Sequence, residues 1–494
     1  MSTRREFLIT AGTGLAVGFL YPRISGAKGA HKGAAPLRIR KNVVTAAAQS
    51  DLDSLRKGVA EMKKLIQTRP NDPRGWVLQA FIHGDCTQFT FCQHGNWYFP
   101  PWHRSFIYYF EQLIQCFSDN KGFALPYWDW SRTHSVPRSF YGSGNPLDDD
   151  ISISGRCQGA PSPGRGVSET TQLTQADLDT YVGPGVINSI QQNPDYTTYG
   201  GGNPGRGQLE GTPHNFIHRW VGGVAGGGRK VSNMVQTFSP LDPIFWLHHC
   251  NIDRLYSNWL ARPNHNPPPE SQWRDKSFND FYDCNGNRAG AEFTCARTLD
   301  SRVMGYVYDQ TLALPAALAV RAKAAVSPKV VGSVATSRAA VKAGVLSFVT
   351  EAAPPEQTRR FMNAAAGGAA SYVVRLCIDG VKTPKRQSTG VHVFLGPDVT
   401  AKTPITAPGY VGSFTFFDGE GEGGGGGGHQ HGASSFLLNA TKAVQELYGD
   451  TSLPEGALSV SIVTRALAAG VDAFATVEDI HPDRIQLDVV NLGA

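Results

Sequence analysis

The sequence predicts a mainly α-helical core followed by a small antiparallel β domain. Apolar residues recur at helical spacing between residues 36 and 310, then switch to period-two alternation after Ser371, with an Ala-, Val- and Lys-rich stretch between the two regimes. With 494 residues, 41% of them hydrophobic and 10% aromatic, the chain can bury more than one core.

The elements of the core follow in order. "DLDSLRKGVAEMKKLI", "RGWVLQAFIH", "HRSFIYYFEQLIQCF", "TPHNFIHRWV" and "DPIFWLHHCNIDRLYSNWL" carry the helical stripe, and Gly-, Pro- and Asn-rich loops join them. Residues 311–370 read as a linker, with breakers at "APPEQ" and "AAAGGAA". Beyond it, "SYVVRLCID", "TGVHVFLG", "YVGSFTFF", "ALSVSIVTRAL" and "RIQLDVV" read as strands of a domain spanning 371–494. "DGEGEGGGGGGHQHG" interrupts them as a surface hairpin loop in which His429 and His431 could hold a metal loosely.

The N-terminus pairs Arg4 and Arg5 just before Phe7 and Leu8 and a modest apolar run. That run is shorter than the roughly 20 residues a membrane span needs. It looks like a twin-arginine export signal over 1–27, so the core would occupy 28–310, the twin-arginine machinery would be a partner, and the product would be periplasmic or extracellular. That route carries folded, often cofactor-loaded proteins. Cleavage after Ala27 removes three arginines and one glutamate, taking the formal charge from +5 to about +3, too little for nucleic-acid binding. No other stretch is long and apolar enough for stable membrane insertion.

Eight cysteines without a Cys-x-x-Cys pair argue against a disulfide scaffold. Cys284 and Cys295 could close one polar loop, whereas Cys116 and Cys377 lie in apolar runs and read as small buried thiols.

Fourteen histidines are present, and seven gather in 81–110 and 211–255. His83 ends an apolar helix before Gly84 in a C-terminal cap position, His94 lies in the following loop and His103 opens the next helix. His214 and His218 share a helical face at i, i+4; His248 and His249 sit side by side on a further helix, about 100° apart. Imidazoles converging from facing helices suit Zn, Cu, Fe or Ni. The absence of carboxylates or paired cysteines at ligand spacing argues against calcium, magnesium and structural zinc. A zinc hydrolase built on His214 and His218 would leave the first cluster unexplained. His134, His265, His392 and His481 lack partners at ligand spacing and read as ordinary histidines.

"HGNWYFPPWHRSFIYYFE" and "DPIFWLHHCNID" resemble the two copper signatures of the type 3 copper proteins, the tyrosinases, catechol oxidases and haemocyanins; "LPYWDW" and "GYVYD" resemble landmarks of the tyrosinase core. The resemblance covers about 36–310 and implies one copper on His83, His94 and His103 and a second on His214, His218 and His249, with O2 as co-substrate. His248 then becomes a neighbour of the site. Fungal members imply a thioether between Cys92 and His94; plant members make Cys86 the rival. The resemblance also gives Glu210 and Asn215 the task of holding a water that deprotonates a bound monophenol, and puts Asp253 among the residues supporting the ligands, through Arg254 or a backbone amide. Gln236, Val235 or Met234 would gate the first copper. The C-terminal β domain weakly resembles the shield of latent plant-type enzymes. The implied function is a tyrosinase acting on small phenols; a catechol oxidase without monophenolase activity is the alternative, and a haemocyanin-like oxygen carrier a third reading.

Overall fold

Leu52, Leu55, Val59, Met62 and Leu65 recur at three- and four-residue steps, so α1 (Gln49–Thr68) buries one apolar stripe. It lies close against α3 (Phe99–Ser118): a Cβ on Gly58 would stand 2.8 Å from Ile114 Cδ1. Between them α2 (Trp76–His83) ends at His83. Helix α3 starts four residues before His103, because Pro100 and Pro101 fit its first turn, where a missing N–H costs nothing; Asp119 stops it in the left-handed region at φ 57°. A π-helical turn over Glu210–His214 leads into α4 (Asn215–Gly222). Helix α5 (Ile244–Ala261) is buried at every residue but Asn258, as befits the centre of the bundle.

The computed structural model describes residues 36–223, 231–310, 328–350, 353–384, 388–417, 434–451, 453–467 and 474–493. The export signal over 1–27 and the glycine-rich loop with His429 and His431 lie outside them. Among the described residues, no helix is long and apolar enough to cross a membrane.

Buried ions close the core. Strands β1 (Arg38–Arg40) and β2 (Tyr306–Tyr308) pair in parallel, joining its two ends. Arg40 bonds Glu111 at 2.8 Å and Asp253 at 3.2 Å; Arg104 reaches Asp253 at 2.5 Å, and the Tyr306 and Tyr308 hydroxyls donate to the same carboxylate at 2.7 and 2.6 Å. Burial alone would raise the Asp253 carboxyl, but Arg104 and Arg40 outweigh it and hold it below the usual range. The expected partners of Asp253, Arg254 or a backbone amide, are therefore corrected: this carboxylate ties α3, α5, β1 and β2 together.

Two disulfides also depart from expectation. Cys116 pairs with Cys284 and Cys86 with Cys157, with Cα atoms 6.2 and 5.2 Å apart. Cys295 stays free and buried. Cys116 is thus no inert thiol: its helix brings it beside a segment 168 residues away, a proximity that local sequence does not encode.

The β domain begins earlier than its period-two pattern suggested. Residues assigned to the linker form β3 (Lys329–Lys342), β4 (Val345–Thr350) and helix α6 (Glu356–Ala366). They join β5 (Tyr372–Val381), β6 (Thr389–Leu395), β7 (Tyr410–Thr415), β8 (Ser434–Asn439), β9 (Ser459–Ala466) and β10 (Arg484–Asn491) in an eight-stranded antiparallel sheet, order β8-β5-β10-β3-β4-β9-β6-β7. Residues 311–327 of the expected linker lie outside the described residues. Leu376, Ile378, Val391, Val393, Val460, Ile462, Leu487 and Val489 point to the domain's own core.

Strand β7 lies along the helical segment that bears His214 and His218. Thr212 Oγ1 donates to the Ser413 carbonyl at 2.7 Å, Asn215 Nδ2 to Thr415 at 2.9 Å and Arg219 Nε to Phe416 at 2.8 Å. Steps of three and four residues place these donors on one helical face. On strand β8, Ser435 accepts from the Arg206 N–H at 2.8 Å and the Leu437 N–H donates to the Arg206 carbonyl at 2.9 Å; on β5, Arg375 pairs with Asp195 at 3.3 Å.

Candidate metal centre

Two groups of side chains each gather their donor atoms within 4.8 Å of one another: His83, Cys92, His94 and His103, and His214, His218, His248 and His249. The groups adjoin, with His103 stacked on His249 at 4.4 Å between ring centroids and His94 at 5.4 Å from His214.

Hydrogen bonds fix which nitrogen each ring can offer. His83 Nδ1 lies 2.5 Å from the Thr237 carbonyl, His103 Nδ1 2.8 Å from that of Phe99, and His218 Nδ1 2.7 Å from that of Met234. A carbonyl only accepts, so these Nδ1 atoms carry the proton and Nε2 keeps its lone pair. His214 follows the same rule through Asn215: the Asn215 Nδ2 donates to Thr415, so Oδ1 accepts from His214 Nδ1 at 2.9 Å. The buried Nε2 atoms of His83 and His214 then have no hydrogen-bond partner among the described residues. His218 Nε2 faces His249 Nε2 at 3.3 Å, where a proton or a cation must sit between them.

His248 is fixed the opposite way. The Trp130 indole N–H donates to its Nδ1 at 3.1 Å, so the proton of the neutral ring sits on Nε2 and neither nitrogen presents a free lone pair.

All six remaining imidazoles are held neutral, the form that binds metal. Burial pushes His83 down to about 3, and burial followed by neighbouring rings lowers His94, His103, His214, His218 and His249. The loop Met234–Thr237 serves both groups, since its carbonyls orient His218 and His83. Within that loop Met234 and Val235 are buried, Val235 against Gly222, and Gln236 is half-buried. Gly84 caps α2 in extended backbone, φ −165°; a Cβ there would lie 2.6 Å from Thr237, so close approach selects this glycine.

Cys86 is committed to Cys157, which leaves Cys92 free beside the rings, 3.5 Å from His94 Nδ1 and 3.2 Å from His103 Nε2. Glu210, 1% exposed, accepts from the Gly95 N–H at 2.9 and 3.1 Å and pairs with Arg206 at 3.0 Å, thereby bracing the loop behind His94.

Sequence reasoning missed two aromatic rings. Phe417, just beyond β7, stacks on His218 at 4.0 Å and 26° and meets His94 and His214 edge-on at 5.6 and 5.7 Å. Phe89 stands edge-on to His83 at 5.3 Å and lies 4.5 Å from His94. Aromatic residues in alternating or loop sequence carry no signal of the surface they meet; only the "TFF" ending of a predicted strand offered a hint.

A family model described as the common central domain of tyrosinase matches residues 73–262. A tyrosinase of Streptomyces antibioticus is 31% identical over 258 residues, 47% of this chain and 86% of that protein. A tyrosinase of Hahella sp. is 29% identical over 286 residues, 48% of this chain and 57% of its own, and polyphenol oxidase C of Solanum lycopersicum 29% over 290 residues, 51% and 44%. The chain thus spans about half the length of several curated relatives it matches. Among solved structures, latent aurone synthase, a polyphenol oxidase, aligns with a TM-score of 0.64 at 20% identity over 93% of this chain and 91% of its own. A functional unit of octopus haemocyanin aligns at 0.52 and 19% over 92% and 100%. These structures share the fold of both the helical core and the sheet domain. The Streptomyces relative, together with the matched central domain, shows that the chain belongs to the tyrosinase family.

Proposed function

We propose that the chain is an exported dicopper phenol oxidase, converting o-diphenols to o-quinones and hydroxylating monophenols, and that its C-terminal domain holds it latent. The observation that carries this is two adjoining sets of buried, neutral imidazoles whose donor atoms gather within 4.8 Å in each set, those of His83 and His214 with unpartnered Nε2 atoms, beside an aromatic ring stacked on His218. His83, His94 and His103 would hold one copper and His214, His218 and His249 the other; an all-imidazole donor set suits copper. Bound there, the metal pair would supply the redox chemistry with O2 as second substrate.

The residues around it divide the remaining work. The face of His218 receives an aromatic ring, as it receives Phe417. A phenol's pKa is near 10, so hydroxylation needs a base that catechol oxidation does not. Glu210 and Asn215 would orient the water that removes that proton. With the shield seated, the Asn215 amide nitrogen is spent on Thr415, so release of β7 both clears the ring site and frees Asn215. Cys92, beside His94, would form the thioether that fixes that ring.

A catechol oxidase without monophenolase activity is the second reading, favoured by the Glu210–Arg206 pair, since a paired carboxylate is a weak base. Export is supported by the twin-arginine pattern and by the two disulfides, which persist in oxidising compartments. The test is copper content and turnover of the protein once activated. Two coppers per chain, catechol oxidation and lag-phase oxidation of a monophenol are expected; diphenol turnover alone would select the second reading, and absence of both would reject the proposal.

A further inference from the structure

We propose that Phe89 walls the entrance on the side of the first histidine group and sets how bulky a ring substituent the site admits; this rests on the phenol oxidase reading. Phe417 marks where an aromatic ring fits. Among the described residues its ring neighbours are His94, His214, His218 and Phe89, the last at 6.0 Å. Three of these belong to the proposed metal ligands and are fixed by that duty. Phe89 is the neighbour whose size is free to vary without changing a ligand.

A wall discriminates only if it cannot swing aside, and the turn bearing Phe89 is fastened at several points. Thr90 N–H donates to the His83 carbonyl at 3.0 Å and Asp85 N–H to the Gln88 carbonyl at 2.9 Å. Cys86 at its tip is bonded to Cys157, and the Thr237 hydroxyl donates to the Asp85 carbonyl. The Asp85 carboxylate also accepts the Thr87 and Gln88 N–H groups at 2.8 and 3.0 Å. Phe89 itself is half-buried and lies against His83 and His94. A substituent pointing from the ring site toward the first histidine group would meet this rigid phenyl edge, whereas an unsubstituted catechol would pass beneath it. Of the three gate candidates Gln236, Val235 and Met234, the last two are buried within the loop that orients His83 and His218, and Gln236 is half-buried.

The test uses the full-length copper protein carrying Phe417→Ala, which clears the ring site, with and without Phe89→Ala. The ratio of kcat/KM for 4-tert-butylcatechol to that for catechol is expected to rise at least about tenfold on Phe89→Ala, the scale on which a pocket discriminates small apolar groups, and to fall on Phe89→Trp. Calorimetric Kd values for 4-tert-butylbenzoate against benzoate should shift the same way. An unchanged ratio in proteins that still oxidise catechol would overturn the wall and leave the oxidase reading standing. No catechol turnover by any of them, with two coppers bound, would overturn the oxidase reading and the wall with it.

Discussion

Trp130 donates its indole N–H to Nδ1 of His248 at 3.1 Å, and this one bond separates two adjacent histidines by chemistry. It forces the His248 proton onto Nε2, while His249 keeps Nε2 3.3 Å from the lone pair of His218. Adjacent positions on a helix give no such choice.

His249→Ala is therefore expected to bind one copper fewer per chain and lose oxidase activity. His248→Ala should keep both metals, at a stability cost of about 1–3 kcal/mol for the indole N–H left unpaired. Metal content by atomic absorption, with urea unfolding, checks both. The reverse pattern would shift the assignment of the second metal group by one residue.

The proposed shielding by the C-terminal domain makes a second prediction. Phe417→Ala should raise the activity of the full-length protein at least about tenfold without proteolysis, because the phenyl ring occupies the face of His218. Arg219→Ala removes a charge-assisted bond to the Phe416 carbonyl, of the order of 1.5–3 kcal/mol, and should lower the urea concentration that activates the enzyme. Equal activity for wild type and Phe417→Ala would mean that this ring does not limit access.

Much of the site was legible in the sequence, because helical spacing brings His214 and His218 to one face and apolar helices mark the ligand-bearing segments. What stayed hidden depends on partners far along the chain. Trp130 and His248 are 118 residues apart, Asn215 and Thr415 200 apart, and Cys116 and Cys284 168 apart. Strand β3 escaped notice because its Ala, Ser and Gly residues dilute the β-branched signal; its pairing with β10 and β4 holds it in the sheet. Asp253 lies one helical turn after His249, but its charge partners come from β1 and α3, far along the chain.

Neutral rings predict an unusual proton balance for metal loading. Ordinary imidazoles, with a pKa near 6.5, would each release about 0.8 proton at pH 6 on binding copper. Here burial already holds the six rings deprotonated at that pH. Calorimetric copper titration in two buffers of different ionisation enthalpy should give proton release close to zero between pH 5.5 and 7. Release of several protons would show that the metal-free rings are solvated and charged.

Asp149 supplies a pH dependence of the opposite kind. Burial, then the nearby Asp242 carboxylate, push its carboxyl up to about 7, and Asn233 Nδ2 donates to it at 2.6 Å. Its unfolded value is near 3.9. Between about pH 4 and 7 the folded state thus holds a proton that the unfolded state has lost, so this group's contribution to stability is full below the unfolded value and falls as pH rises toward 7, by up to about 1.4 kcal/mol per pH unit. Asp149→Asn should remove that slope: the stability difference between variant and wild type, from urea unfolding at pH 4.5, 5.5 and 6.5, should move steadily in the variant's favour. Parallel stability curves across this range would show that Asp149 is ionised in the folded protein and that Arg165, which bonds Asp242 at 2.5 Å, neutralises both carboxylates.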